Sequence, residues 1–120
     1  MMNDKPRPVL LVTGGRDYAD VQRLTLELDC DNPGLVIHGG ARGADALADT
    51  WARGAGVHVL RCDALWDVYR KAAGSKRNAV MVEVCKRLGG SVLAFPGGAG
   101  TADCVRRAEA AGLTVRRVGA

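Results

Sequence analysis

Val9-Leu10-Leu11-Val12-Thr13-Gly14-Gly15 decides the fold. Four consecutive apolar residues run directly into a threonine and two glycines. A strand with one wet face would alternate; an unbroken apolar run suits a strand covered on both faces, as in parallel sheets. The pattern returns twice. Leu35-Val36-Ile37 ends at His38-Gly39-Gly40, and Ser91-Val92-Leu93-Ala94-Phe95 ends at Pro96-Gly97-Gly98. Two plainer strands are expected over Val57 to Leu60 and Val115 to Val118.

Helical periods fill the gaps. Val21, Leu24 and Leu28 share a face, and Asn32-Pro33-Gly34 stops that helix. Ala44, Leu47, Ala48, Trp51, Ala52 and Ala55 form one buried stripe, with Asp45 and Asp49 off it and Gly56 at the helix end. Residues 63–74 read as a loop with a short turn near Tyr69-Arg70-Lys71. A helix is expected from about Lys76 to Leu88, with Val80/Met81, Val84/Cys85 and Leu88 on one face. The last helix turns Val105 and Ala108 inward and ends at Gly112.

Strand and helix therefore alternate through five strands. Right-handed crossovers predict an α/β fold, a doubly wound Rossmann-like three-layer sandwich. Its five-stranded parallel sheet takes the order 3-2-1-4-5, with a switch point between strands 1 and 4. A length of 120 residues suits one domain, 1–120, with one core. Apolar residues make up 48% of the chain, which excludes global disorder. Aromatics are only 4%, so Val, Leu and Ala must fill the interior.

The formal charge is +4, and thirteen of the seventeen cationic residues are arginine. Arginine matches phosphate with a planar fork. The basic residues gather in pairs (Arg70-Lys71, Lys76-Arg77, Arg106-Arg107, Arg116-Arg117), never in a run of five. Cys30, Cys62, Cys85 and Cys104 lie far apart with no C-x-x-C spacing, so neither a zinc nor a redox motif is supported. Met1 to Pro8 carries charge and two prolines rather than the apolar run of a signal peptide. No apolar run is long enough to span a membrane. A cytoplasmic protein with reduced thiols, no metal, no cofactor and no membrane partner is expected.

Chemistry is expected where the strands end. Three glycine-rich segments sit there: Thr13-Gly14-Gly15-Arg16-Asp17, His38-Gly39-Gly40-Ala41-Arg42-Gly43-Ala44-Asp45 and Pro96-Gly97-Gly98-Ala99-Gly100-Thr101. In an open parallel sheet all three lie on one edge. Backbone N–H groups and a helix dipole there attract an anion, and missing side chains let it approach. Tight turns alone also use glycine. Thr101 stands at or near a helix N-cap, where it would satisfy an orphan N–H or donate to a phosphate oxygen. Arg16 and Arg77, with Asn78 beside it, are the expected site cations, and Asp17 and Asp45 the candidate carboxylates. Dipole pairing alone would also explain Asp45. Tyr18, Trp66 and Tyr69 could stack on a base or simply pack. His38 reads as a hydrogen-bonded structural histidine, and Cys104 as inert packing.

With Ala73-Gly74-Ser75-Lys76-Arg77-Asn78-Ala79-Val80-Met81 added, these segments resemble the YspA-type, YpsA-related branch of the SLOG superfamily, widespread in bacteria and phages. That superfamily includes the LOG phosphoribohydrolases and the DNA-processing protein DprA. The resemblance implies a Rossmann-like domain that binds a nucleotide or nucleotide-derived ligand; small members commonly pair, so a homodimer is expected. The LOG signature is Arg-Lys-x-x-Met followed by Pro-Gly-Gly-x-Gly-Thr-x-x-Glu. Here Asn78 replaces the lysine and Cys104 the glutamate. Asp103 lies one residue earlier, about 100° around a helix. The phosphate cradle carries over and the catalytic carboxylate does not, so no catalytic residue is assigned. Three functions follow: binding or sensing of a phosphate-bearing nucleotide-like ligand; LOG-like hydrolysis using Arg77 with Asp45, Asp17 or Asp103; and DprA-like nucleic-acid binding.

Overall fold

The computed structural model describes residues 6–119. Five strands are formed: β1 (Val9–Thr13), β2 (Leu35–His38), β3 (His58–Arg61), β4 (Ser91–Ala94) and β5 (Val115–Arg117). Every pairing is parallel, in the order β3-β2-β1-β4-β5. The helices are α1 (Val21–Asp31), α2 (Ala44–Gly54), α3 (Trp66–Tyr69), α4 (Ala73–Arg87) and α5 (Ala99–Ala110). A 3₁₀ turn, Arg70–Ala72, joins α3 to α4.

Alternate residues of each central strand feed two separate cores. Leu10, Val12, Val36 and Leu93 pack with Leu24 and Leu28 of α1 and Ala44, Ala48 and Ala52 of α2. Leu11, Ile37 and Val92 pack with Met81, Val82 and Cys85 of α4 and Cys104 and Ala108 of α5. Both faces of β1 are thus dry, which is why its sequence shows no alternation. Burying side chains such as Leu11, Leu28 and Ile37 stabilises the fold by about 1.5–3 kcal/mol each. Small residues on α2 let that helix lie close to the sheet, which suits a chain with so few aromatics.

Several boundaries differ from the sequence expectations. Residues 63–74 are not a plain loop. They hold α3, the 3₁₀ turn and the first residues of α4, which begins at Ala73 rather than Lys76. The α4 stripe is also rotated. Asn78, Met81, Val82 and Cys85 are buried, whereas Val80 and Leu88 are exposed. β3 is an edge strand shifted one residue, to His58–Arg61, and most of it is exposed. α2 and α5 close on Ala55 and Ala111, with Gly56 and Gly112 at positive φ just beyond.

Asp45, read as off the α2 stripe, is buried. Two backbone amides of the preceding loop compensate it. Asp49 is half-buried and receives a hydrogen bond from His38 Nε2 at 2.8 Å. Gly40 N–H donates to His38 Nδ1 at 3.0 Å. That pairing makes Nδ1 the acceptor and Nε2 the donor, so His38 is structural, as expected.

Candidate functional site

The three glycine-rich loops meet. Gly15 N–H donates to Pro96 O at 2.9 Å, and Ala44 N–H donates to Gly15 O at 3.1 Å. The loop after β1 is therefore clamped between the loops after β2 and β4, as the strand order requires. Half of the glycines in these loops, Gly14, Gly15, Gly43 and Gly97, sit in this clamp. Gly43 has φ +80°, and a Cβ there would strike Gly15 O. A Cβ on Gly97 would strike the Thr101 hydroxyl and stand 2.7 Å from Gly15 N. These glycines let neighbouring backbones approach one another. Only Gly98 and Gly100 face open space at this edge.

The supply of backbone N–H groups shifts accordingly. Three amides of the loop after β2, those of Gly39, Gly40 and Ala41, are taken by side chains of the fold. Asp45 Oδ2 accepts from Gly39 N–H at 3.0 Å and Ala41 N–H at 3.3 Å. Burial raises the Asp45 carboxyl above its ordinary range, outweighing those two hydrogen bonds and the nearby His38 and Arg77. The α5 N-terminus behaves differently. Its N-cap is Gly98, and no side chain caps it. The first helical bond runs from Ala102 N–H to Gly98 O, so the amides of Ala99, Gly100 and Thr101 precede it. Thr101 is the third residue of the helix, not its cap, because the helix begins at Ala99.

The first turn of α5 lines a cavity of about 350 Å³. Gly14, Gly15, Arg16 and Asp17 border it on one side, Ala41 and Asp45 on another, and Arg77 and Asn78 on a third. Gly98, Ala99, Gly100 and Thr101 close it. Gly39 and Gly40 line a neighbouring cavity instead. Pro96 and Gly97 line shallower depressions on the far side of the loop, and Gly43 is enclosed in the clamp.

Arg77 Nη1 donates to Gly39 O at 2.6 Å and its Nε to Asn78 Oδ1 at 3.0 Å. The guanidinium is thereby held at the cavity wall. Asn78 Nδ2 donates to Gly100 O at 3.1 Å and to Asp103 Oδ2 at 3.0 Å. A buried amide thus ties α4 to the first turn of α5. Arg16 is exposed and makes no ion pair among the described residues. Asp17 points outward, 3.7 Å from Arg42.

Neither carboxylate nor thiol near the family glutamate position enters the cavity. Cys104 is fully buried, and burial pushes its thiol up to about 11. Burial also raises the Asp103 carboxyl, but hydrogen bonds from Asn78 and Arg107 outweigh it, leaving the group lowered. Asp103 further binds Arg106 at 2.6 Å. Tyr18 packs its ring 5.0 Å from Phe95, and Tyr69 lies under Lys76 rather than over the cavity. Among the described residues, no group of three His, Cys, Asp or Glu is placed to hold a metal ion.

The YspA, cpYpsA-related SLOG family matches residues 8–69, just over half of the sequence. A Mycobacterium phage D29 protein, named Gene 61 protein, is 42% identical over 125 residues, covering 92% of this chain and 95% of its own. The chain belongs to the YspA, cpYpsA-related SLOG family. The family match spans the loops after β1 and β2, and the similarity to the phage protein extends over nearly the whole chain.

Three residues beside the candidate site were not singled out from the sequence. Arg42, Arg61 and Asp63 line the neighbouring cavity with Arg16 and Arg77. Arg61 ends β3, so the strand-end rule that selected the other loops applied to it also. The paired arginines near the C-terminus lie elsewhere and have carboxylate partners. Arg106 and Arg107 pair with Asp103, Arg116 with Glu27 and Asp31, and Arg117 with Glu109. No helix among the described residues is long and apolar enough to cross a membrane.

Proposed function

We propose that this chain is a single binding domain, residues 1–120, that takes the phosphate of a nucleotide or nucleotide-derived ligand at the α5 N-terminus. The observation that carries this reading is the uncapped first turn of α5. Its three leading residues line a cavity bordered by Arg16 and Arg77. A helix N-terminus attracts negative charge through its unpaired N–H groups and its dipole. Arginine adds a fixed cation with two parallel donors. Membership of a SLOG family agrees with a nucleotide-related ligand.

Binding without turnover is the better-supported reading. The position of the LOG glutamate is occupied by a buried thiol, and Asp103 is engaged by Asn78 and two arginines. A general acid or base must reach the reacting atom. Incubation with a panel of nucleoside monophosphates is expected to release no free base.

Thermal unfolding with and without ligand tests the binding. Adenosine 5′-monophosphate or inorganic phosphate at millimolar concentration should raise the melting temperature, and adenosine should not. Arg77→Gln removes a charge-assisted contact of about 1.5–3 kcal/mol, so the shift should shrink by the equivalent of tenfold or more in affinity. An equal shift with adenosine alone would contradict phosphate recognition.

A further inference from the structure

A second cavity of about 690 Å³ opens on the same edge as the α5 cavity, and Arg16, Ala41 and Arg77 stand on the walls of both. Charge is divided unequally between them. Two arginines and two carboxylates, Asp17 and Asp45, border the α5 cavity. Four arginines and one carboxylate, Asp63, border the larger one. The extra cations are Arg42 and Arg61.

Two of these cations lie against the glycines of the β2 loop, Arg61 together with its partner Asp63. A Cβ on Gly39 would stand 2.5 Å from Arg77 Nη1, and a Cβ on Gly40 would stand 2.7 Å from Arg61 Nε. Two guanidinium groups therefore flank consecutive residues of one loop. Arg61 and Arg42 also have carboxylate partners. Arg61 pairs with Asp63 at 2.6 Å and Arg42 with Asp17 at 3.7 Å, and both pairs are exposed to solvent. The lining still holds four arginines against one carboxylate, a balance that favours an anion in the hollow.

Trp66 supplies a planar apolar surface beside the arginines. It is 49% exposed and lines the larger cavity. The Cβ position of Gly74 is 3.6 Å from the Trp66 ring and 3.8 Å from Arg77 Nη2. An indole and a guanidinium thus border the same space. That combination suits an aromatic base joined to a phosphate, the base stacking and the phosphate paired.

We propose that the larger cavity is a second subsite, and that the ligand is a nucleoside derivative carrying phosphate groups at two separated positions. One phosphate sits at α5, so this inference rests on the function proposed above. The second sits among Arg16, Arg42 and Arg61, with the base against Trp66. A nucleoside 3′,5′-bisphosphate has this chemistry.

Calorimetry on the full chain distinguishes the outcomes. The probes are adenosine 5′-monophosphate and adenosine 3′,5′-bisphosphate. The bisphosphate should bind tenfold or more tighter than the monophosphate. In the double variant Arg42→Gln/Arg61→Gln that ratio should fall to near one, with the variant's own melting curve reporting that it is folded. Saturation with the preferred probe should quench tryptophan emission, and Trp66→Phe should remove the quenching. A ratio near one in the unaltered protein, with the monophosphate still bound, overturns this inference and leaves the α5 reading standing. An unchanged ratio in the folded double variant also overturns it. No binding by any probe overturns both.

Discussion

At the scale of single residues, Asp45 joins the fold to the cavity. Its carboxylate closes the β2 loop by accepting from Gly39 and Ala41 while facing the space where a ligand would lie. Asp45→Ala leaves two inward amides without a partner and should cost about 1–3 kcal/mol in urea unfolding. Asp45→Asn keeps an acceptor oxygen and should cost less. The pH dependence has a definite sign. The folded-state pKa lies above the ordinary 3.8, so the native chain retains a proton that the unfolded chain has released. Stability from this group is therefore present at low pH and falls as pH rises through that window. Asp45→Asn should flatten that slope. The cysteines differ in the same physical way. Cys30 is exposed, whereas Cys85 and Cys104 are buried with thiols pushed up to about 11. Iodoacetamide at neutral pH should label Cys30 in the native protein and reach Cys85 and Cys104 only on unfolding, as peptide mass spectrometry will show. The inert role of Cys104 was legible in the sequence because no partner histidine stood near it. The burial of Asp45 was not, since helical spacing alone puts it off the apolar stripe.

At the scale of elements, the first turn of α5 and the clamp of loops beside it separate stability from binding. Gly100→Asp places an acidic side chain in open space at a helix N-terminus, where the dipole favours it by about 0.3–1 kcal/mol. The free protein should melt at the same or a slightly higher temperature, while phosphate affinity falls at least tenfold. Gly43→Ala should do the opposite kind of damage. It combines a positive φ with a collision against Gly15 O, and should destabilise the fold by about 1–3 kcal/mol in chemical denaturation. The sequence showed which loops meet but not what their glycines do. Glycine in a loop carries no mark that separates close chain packing, as at Gly43 and Gly97, from open approach, as at Gly98 and Gly100. The central strands were readable because both faces of β1, β2 and β4 are buried and the sequence lacks any alternation there. The start of α4 was not. α3 is four residues long, its apolar side chains are exposed, and no capping side chain precedes Ala73.

At the scale of the whole molecule, the strand order does the assembling. With β1 between β2 and β4, the loops after these three strands must lie side by side, and backbone bonds fasten them together. Connectivity alone predicted that arrangement, because right-handed crossovers leave few alternatives. The cluster of arginines next to it needed three dimensions, since Arg42, Arg61 and Arg77 come from separate stretches of chain. A site built on arginine and helix amides should weaken with salt. Phosphate-ligand affinity is expected to drop several-fold between 50 and 500 mM sodium chloride in calorimetry, because the exposed arginines are screened. The most direct measurement of the central claim is a backbone amide NMR titration with adenosine 5′-monophosphate. The largest shifts should fall on Ala99, Gly100 and Thr101, with Arg16 following. If those three amides stay unmoved at saturation while shifts gather on another face, the phosphate does not bind at α5 and the account is wrong.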